Sequence, residues 1–154
     1  MAKDVRLVTA PFDPAAETEP FARAHSEAGG IATFVGKVRP TDGVEALELS
    51  HYKPLTLPGM EALADEALAR FELLGILILH RVGTMRPGEP IVLVAACACH
   101  RRAAIEAVDF AMDNLKSDAW FWKREKRSGE WSWIEPRPED HADLARWKEN
   151  PPQI

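Results

Sequence analysis

Three consecutive cations follow a predicted strand in the last third of the chain. His100, Arg101 and Arg102 come directly after residues 90–99, an apolar run that predicts a strand. The amphipathic segment 102–117 predicts a helix, so these side chains lie beside the positive end of a helix dipole, where cations are mildly unfavourable. Free backbone N–H groups, an imidazole and guanidinium groups together suit a phosphate or carboxylate. The alternative is that the two arginines simply extend into solvent.

Two lysines follow along the same stretch. Lys116 falls in the last turn of the predicted helix, where a cation complements the dipole, so taken alone it is a solvated end-cap. Lys123 follows three aromatic residues in a segment that predicts a strand, with Phe121 and Lys123 on one face and Trp120 and Trp122 on the other. Partial burial would lower the pKa of Lys123 and free its amine as a nucleophile or base, whereas a nearby anion would hold it charged as an electrostatic stabiliser. The residues alone leave both roles open.

The composition predicts one globular domain. The chain has 154 residues, of which 46% are hydrophobic and 28% charged, enough for one sizeable core. No apolar run approaches the roughly 20 residues of a membrane span, and the first residues lack the apolar core of a secretory signal, so a cytoplasmic protein without membrane association is expected. The formal net charge of −5 argues against nucleic-acid binding. The basic residues between His100 and Arg127 therefore indicate a local site for a small anion or an acidic partner.

Cys97 and Cys99 are the two cysteines of the chain and share one face of the predicted strand. A metal site would need further ligands, and His100 begins on the opposite face, so neither a metal nor a cofactor is predicted. The favoured interpretation is two small buried hydrophobes in a reducing compartment. A thiol relay is the alternative.

The remaining pattern mixes short strands with helices and short connections, which predicts an α+β fold with mainly antiparallel sheet. Further strands are predicted at residues 5–8, 31–38, 44–52, 75–81, 123–126 and 130–134. Further helices are predicted from Asp13 to about residue 27, along the apolar stripe 60–71, and around residues 140–147 in a polar tail that starts at about residue 136. Residues 53–59 are expected to form a Pro-rich loop. Two hairpins are expected, one across the turn at 83–89 and one across residues 127–129.

From about residue 5 to residue 147 the sequence resembles the catalytic, large-subunit family of molybdopterin synthase. The motifs that carry the resemblance are Thr33-Phe34-Val35-Gly36-Lys37-Val38-Arg39, His80-Arg81-Val82-Gly83, Pro87-Gly88-Glu89, His100-Arg101, Asp113-Asn114-Leu115-Lys116 and Lys123-Arg124-Glu125. Several motifs in this order and spacing make a chance match improbable. The resemblance implies an α/β-hammerhead-like fold, a homodimer of large subunits, and a small ubiquitin-like sulfur carrier docked on each to form a heterotetramer.

The resemblance also implies a reaction. The family converts cyclic pyranopterin monophosphate to the dithiolene molybdopterin, with sulfur from the thiocarboxylate at the carrier's C-terminal Gly-Gly. The resemblance assigns catalysis to Lys116 and Lys123. It assigns substrate binding to Lys37, Val38, Arg39, His100, Arg101, Lys116, Lys123, Arg124, Glu125 and Arg137. Because both the tail and the substrate are anions, a ring of cations would attract them and stabilise charge that develops during sulfur transfer.

Two segments depart from the family's pattern, and two other functions stay open. Trp120 stands where the family commonly has Pro, and residues 53–59 are interpreted as a loop insertion. Arg39 is expected to project away from its own core and to serve the pocket of a neighbouring subunit.

One alternative function is a non-catalytic module that holds a ubiquitin-like tail or a nucleotide in the same pocket. The other is a thiol-dependent sulfurtransferase, which would need Cys97 or Cys99 as an exposed thiol of low pKa.

Overall fold

The computed structural model describes residues 2–41, 43–117, 120–135 and 137–149. Over these ranges the chain forms eight strands and four helices. In chain order they are β1 (Lys3–Val8), α1 (Pro14–Ala24), β2 (Gly30–Lys37), β3 (Val44–His51), α2 (Lys53–Arg70), β4 (Gly75–Arg81), β5 (Gly83–Met85), β6 (Pro90–Ala98), α3 (Arg101–Ser117), β7 (Phe121–Arg127), β8 (Glu130–Ile134) and α4 (Pro138–Glu149). None of the helices in these ranges has the length and apolar character needed to cross a membrane.

The first sheet has the strand order β1-β4-β6-β2. Its central strands β4 and β6 are apolar along most of their length because both of their faces are covered. Helices α2 and α3 pack on one face, against side chains that include Ile78 and Val94, and Phe21 of α1 packs on the other, beside Leu79. The predicted pairing of β4 with β6 is confirmed, and β1 adds to β4 as a parallel strand.

The expectation of a Pro-rich loop at residues 53–59 is wrong, because α2 begins at Lys53 and runs through this segment. Pro54 lies in the first turn, where a missing N–H costs nothing, although Pro58 removes one helical hydrogen bond. Thr56 is fully buried and donates a hydrogen bond of 2.7 Å to the carbonyl oxygen of Trp120. Tertiary packing thus outweighs the local preference of two prolines, and this part of α2 holds the residue that precedes β7.

The second sheet has the order β5-β3-β7-β8, and its pairs are antiparallel. The hairpin of β7 and β8 is confirmed, with positive φ angles of 51° at Ser128 and 78° at Gly129 that form a two-residue turn. Strand β5 was not predicted. It occupies the connection between β4 and β6, where fully buried Met85 pairs with Leu47. The α+β fold with mainly antiparallel sheet is therefore confirmed, and it divides into two sheets.

Candidate active site

A cavity of about 450 Å³ lies where the two sheets meet the C-terminal end of α3. The end of β2 and the residues after it form one wall, which includes Lys37 and Val38. The inner face of β3 and β7 forms another, and Lys116 projects from the last turn of α3. A cavity of this size accommodates a ligand of small-cofactor dimensions.

Cationic side chains outnumber carboxylates in the lining of this cavity by six to three. The cations are Lys37, Arg39, Lys116, Lys123, Arg127 and Arg137, and the carboxylates are Glu125, Glu135 and Asp140. Two of these cations form ion pairs within the lining, Arg127 with Glu125 at 2.9 Å and Arg137 with Asp140 at 3.0 Å. The other four cations form no ion pair within the described part of the chain. The cavity is therefore positive and suited to an anionic ligand.

Lys123 lies on the cavity face of β7, between Leu49 of β3 and Ile134 of β8. Burial lowers the pKa of Lys123, and the charges of Lys116 and Arg39 lower it further, while Glu125 opposes the change. The predicted partial burial of Lys123 is thus confirmed. With no anion beside it, Lys123 loses its proton more easily than an ordinary lysine does.

The start of α4 closes one side of the cavity. Asp140 accepts hydrogen bonds from the Arg137 guanidinium at 3.0 Å and from the Arg137 backbone N–H at 3.2 Å. Partial burial opposes ionisation of Asp140, but these interactions, with the charge of Lys116, lower its pKa. Ser117 donates a hydrogen bond of 2.6 Å to the Asp140 carbonyl oxygen, so the residue after Lys116 is tied to α4. This network fixes the C-terminal end of α3.

His80 lines the cavity, and no role was predicted for it. The residue is 7% exposed, and its ring stacks on Phe121 with a centroid distance of 4.1 Å and an angle of 19°. Burial lowers the pKa of His80 to about 4, with a further contribution from the charge of Lys116, although its hydrogen bond to the Arg81 carbonyl opposes the change. The available signal was a titratable residue directly after the apolar run of residues 76–79 in β4.

Arg124 does not reach the cavity, because alternate residues of a strand point to opposite faces. It lies on the outer face of β7, where Glu48 accepts two hydrogen bonds from its guanidinium at 2.8 and 3.1 Å. Its guanidinium carbon lies 4.5 Å from the ring centroid of Trp131 and 5.7 Å from that of Trp133. Within one chain Arg124 therefore connects three strands of the second sheet and leaves the cavity to Lys123 and Glu125.

His100 and Arg101 are exposed at the N-terminal end of α3 and do not line the cavity. Lys116 lies 15 residues further along the helix, a distance of about 22 Å at 1.5 Å per residue. In a single chain the structure therefore brings Lys37, Val38, Arg39, Lys116, Lys123, Glu125 and Arg137 together and leaves His100, Arg101 and Arg124 outside.

Two further expectations need correction. Arg39 does not project away from its own core, because it lines the same cavity as Lys116 and lowers the pKa of Lys123. Cys99 is exposed, since β6 ends at Ala98 and Cys99 lies in the bend before α3, whereas Cys97 is buried as predicted. Burial raises the pKa of Cys97 to about 11, which leaves it without thiolate character, and neither thiol lines the cavity. The described residues contain no cluster of His, Cys, Asp and Glu suited to a metal ion.

Comparisons with known proteins identify the family of the chain. The family model described as MoaE protein matches residues 7–118. A protein of Cereibacter sphaeroides named molybdopterin synthase catalytic subunit is 44% identical over 138 residues, which cover 89% of this chain and 94% of the relative. A protein of the same name from Caulobacter vibrioides is 44% identical over 144 residues, 93% of this chain and 96% of the relative.

Solved structures show the same fold. Molybdopterin cofactor biosynthesis protein E from Burkholderia multivorans superposes with a TM-score of 0.81 at 39% identity, covering 96% of this chain and 98% of that chain. Molybdopterin synthase from Staphylococcus aureus superposes with a TM-score of 0.74 at 27% identity, covering 84% of this chain and 95% of the other. The chain belongs to the MoaE family, whose curated relatives are catalytic subunits of molybdopterin synthase.

Proposed function

We propose that this chain is the catalytic subunit of a molybdopterin synthase in molybdenum cofactor biosynthesis. It binds cyclic pyranopterin monophosphate and receives sulfur from the thiocarboxylated C-terminal Gly-Gly of a small ubiquitin-like carrier. Two copies of the chain and two carriers form the active heterotetramer. The reaction takes place in the cytoplasm, where the unpaired Cys97 and Cys99 stay reduced.

The observation that carries this proposal is the positive cavity with two lysines in a chain of this family. Substrate phosphate and carrier thiocarboxylate are both anions, so each gains from the four cations that lack a carboxylate partner in the described structure. The carrier's tail must be extended to enter a cavity of about 450 Å³ together with the pterin. The globular body of the carrier therefore stays outside and presents only its last residues.

Lys116 and Lys123 have different surroundings, and this supports different roles. Lys116 is exposed at the helix end, where it keeps a charge that stabilises the sulfur anion and the charge that develops on transfer. The lowered pKa of Lys123 favours its neutral amine in the empty cavity, and an arriving anion raises that pKa again. Lys123 thus holds a proton in the loaded site and can release it as the charge leaves.

His100 and Arg101 act in this proposal from a second copy of the chain. About 22 Å of helix separates them from their own Lys116, a distance that one substrate of pterin size does not bridge. A role in substrate binding therefore requires that they serve the cavity of the other subunit.

The geometry of β2 supports such an arrangement. β2 is an edge strand, and its exposed apolar side chains Ile31, Phe34 and Val35 leave an unprotected surface. Gly30 at its first end packs on the backbone of Arg101, where a Cβ would lie 3.2 Å from the Arg101 Cα atom, and Lys37 at its other end lines the cavity. Antiparallel pairing of two β2 strands about a two-fold axis brings Gly30 of one copy opposite Lys37 of the other. His100 and Arg101 of each copy then lie beside the cavity of its partner.

A reconstituted assay tests the reaction. Purified chain is mixed with thiocarboxylated carrier and cyclic pyranopterin monophosphate, and dithiolene formation is measured for the wild-type protein and Lys116→Ala. We expect turnover by the wild type and loss of most turnover in the variant at an unchanged melting temperature, since an exposed helix-end cation contributes only about 0.3 to 1 kcal/mol to folding. Carrier binding without any dithiolene would instead identify a non-catalytic tail-binding module.

A complementation experiment tests the shared site. Subunits carrying both His100→Ala and Arg101→Ala are paired with Lys116→Ala subunits through two different affinity tags. Each mixed dimer should contain one intact cavity and recover up to about half of the wild-type activity. The matched control pairs Arg39→Ala with Lys116→Ala, and it should recover none, because both residues belong to the same chain's cavity. Recovery in the control alone, or in neither pair, would contradict the arrangement.

A further inference from the structure

His80 stands at the end of β4 with its imidazole in the wall of the cavity. The residues before it in β4 are apolar and buried, so a hydrocarbon side chain would serve packing at this position equally well. The ring is held by two contacts. Phe121 stacks on it at 4.1 Å, and its Nδ1 atom lies 2.9 Å from the carbonyl oxygen of Arg81. Such a fixed polar group at a cavity wall needs an explanation beyond packing.

The backbone contact determines the tautomer of the ring. A carbonyl oxygen only accepts, so Nδ1 carries the proton and donates it to Arg81. Nε2 is then the unprotonated nitrogen. Nδ1 is the His80 nitrogen with a hydrogen-bond partner among the described residues, which leaves the Nε2 lone pair for a ligand.

The charges around His80 keep it neutral. Burial lowers its pKa to about 4, and the nearby charge of Lys116 on α3 acts in the same direction. Lys123 and Glu125 of β7 and Arg39 after β2 line the same cavity. At pH 7 the cavity thus has several cations for an anionic ligand and carboxylates that are partly paired with arginines. The His80 imidazole is a neutral hydrogen-bond acceptor in a fixed orientation.

We propose that His80 is a further substrate-contacting residue, whose Nε2 accepts a hydrogen bond from an N–H or O–H donor of the bound pterin. The inference rests on the proposed function and extends it. The lysines and Arg39 bind the anionic part of the substrate, and His80 binds a neutral donor on the same molecule. A neutral acceptor suits this task, because a carboxylate in its place would cancel the positive charge that the phosphate and thiocarboxylate require. A ligand that lacked the donor would leave Nε2 buried without a partner, so His80 also contributes to specificity.

Two variants separate hydrogen bonding from packing. His80→Phe keeps an aromatic ring on Phe121 and removes the acceptor, whereas His80→Gln loses the stacking and restores a polar atom near the position of Nε2. Binding of cyclic pyranopterin monophosphate and of inorganic phosphate is measured by calorimetry for the full chain in complex with its carrier. We expect His80→Phe to weaken pterin binding roughly tenfold, with phosphate binding unchanged and partial recovery in His80→Gln.

A measurement on the wild-type protein makes the test independent of variant folding. The ¹⁵N resonance of His80 Nε2 should shift when the pterin is added and stay in place when phosphate is added. Wild-type pterin affinity in His80→Phe, an equal loss of phosphate affinity, or an Nε2 resonance that ignores the pterin would each overturn the proposal. If the wild-type protein binds no pterin at all, the proposed function itself is overturned. If the wild type and His80→Phe bind pterin equally well, only the role of His80 is overturned.

Discussion

Acidification should destabilise this protein through His80, and the size of the effect follows from its burial. The pKa of His80 falls from the ordinary value of 6.5 to about 4 in the folded state. Between these values the unfolded chain binds a proton that the folded chain does not, so the free energy of unfolding falls as the pH is lowered. At 1.36 kcal/mol for each pH unit, the full loss is on the order of 3 kcal/mol and is complete below about pH 4. Above pH 6.5 the contribution is constant.

Urea unfolding followed by tryptophan fluorescence measures this effect at a series of pH values from 7.5 to 4. The His80→Phe variant is the matched control, because it retains every other titrating group and lacks only the imidazole. The wild type should lose about 3 kcal/mol relative to the variant between pH 6.5 and pH 4, since carboxylate titration affects both proteins alike. A difference between the two proteins that stays constant over this range would show that His80 titrates at its ordinary pKa. Burial would then have no effect on the protonation of His80.

Three further outcomes are expected. Arg39→Ala should weaken pterin binding by about 1.5 to 3 kcal/mol and change carrier affinity much less. Calorimetric titrations of the pterin and of the carrier measure the two affinities. A large loss of carrier affinity with unchanged pterin binding would assign Arg39 to the carrier instead. Gly59→Ala should destabilise the protein in urea unfolding, because the new Cβ would lie 2.6 Å from the Trp120 ring and the cost of about 1 to 3 kcal/mol outweighs the roughly 1 kcal/mol that alanine gains over glycine inside a helix; increased stability would mean that the ring moves aside at little cost. Cys99 should react with a maleimide in the native protein while Cys97 reacts only after unfolding, and Cys99→Ser, which adds no bulk beside His100, should keep its sulfur-transfer activity; loss of activity would revive a thiol mechanism.

Strand periodicity predicted the orientation of the β7 side chains well. Phe121 and Lys123 were placed on one face from the alternation of β7, and both line the cavity. The same alternation puts Arg124 on the outer face, but the motif Lys123-Arg124-Glu125 suggested a shared role for three adjacent residues. A motif reports that residues are used together, while the two-residue period decides which of them point to the same site.

Other features depend on contacts that no local pattern contains. β5 is three residues long, and only its pairing with β3 makes it a strand. The first turns of α2 contain two prolines, which favour a loop locally, yet buried Thr56 and its hydrogen bond to Trp120 stabilise the helix. In both cases the partner is far away in sequence, so tertiary contacts override the local preference.

The position of His100 and Arg101 shows a different limit. The residues alone indicated an anion site at a helix N-terminus, with extension of Arg101 into solvent as the alternative, and the resemblance linked His100 and Arg101 to the same site as Lys116. The helix between them measures about 22 Å, so a single copy of the chain cannot satisfy both statements. A sequence motif indicates the role of a residue but not the copy of the chain in which it acts, and helix length together with the exposed β2 edge supports the proposed two-chain site.

Among the four cavity cations that have no carboxylate partner in the described part of the chain, Lys123 is the one that local folding rules single out. Lys116 at a helix C-terminus is favourable for folding, and charge alone gave no reason to single it out. Lys123 in a strand between apolar neighbours lacks such a local benefit, and its lowered pKa shows that the folded protein holds its charge at an energetic disadvantage. The disadvantage disappears when an anion enters, because the anion removes the mutual repulsion of Lys116, Lys123 and Arg39. The electrostatic cost of placing Lys123 in this strand is therefore offset when an anionic ligand binds. A residue that local folding rules disfavour can in this way indicate a binding site.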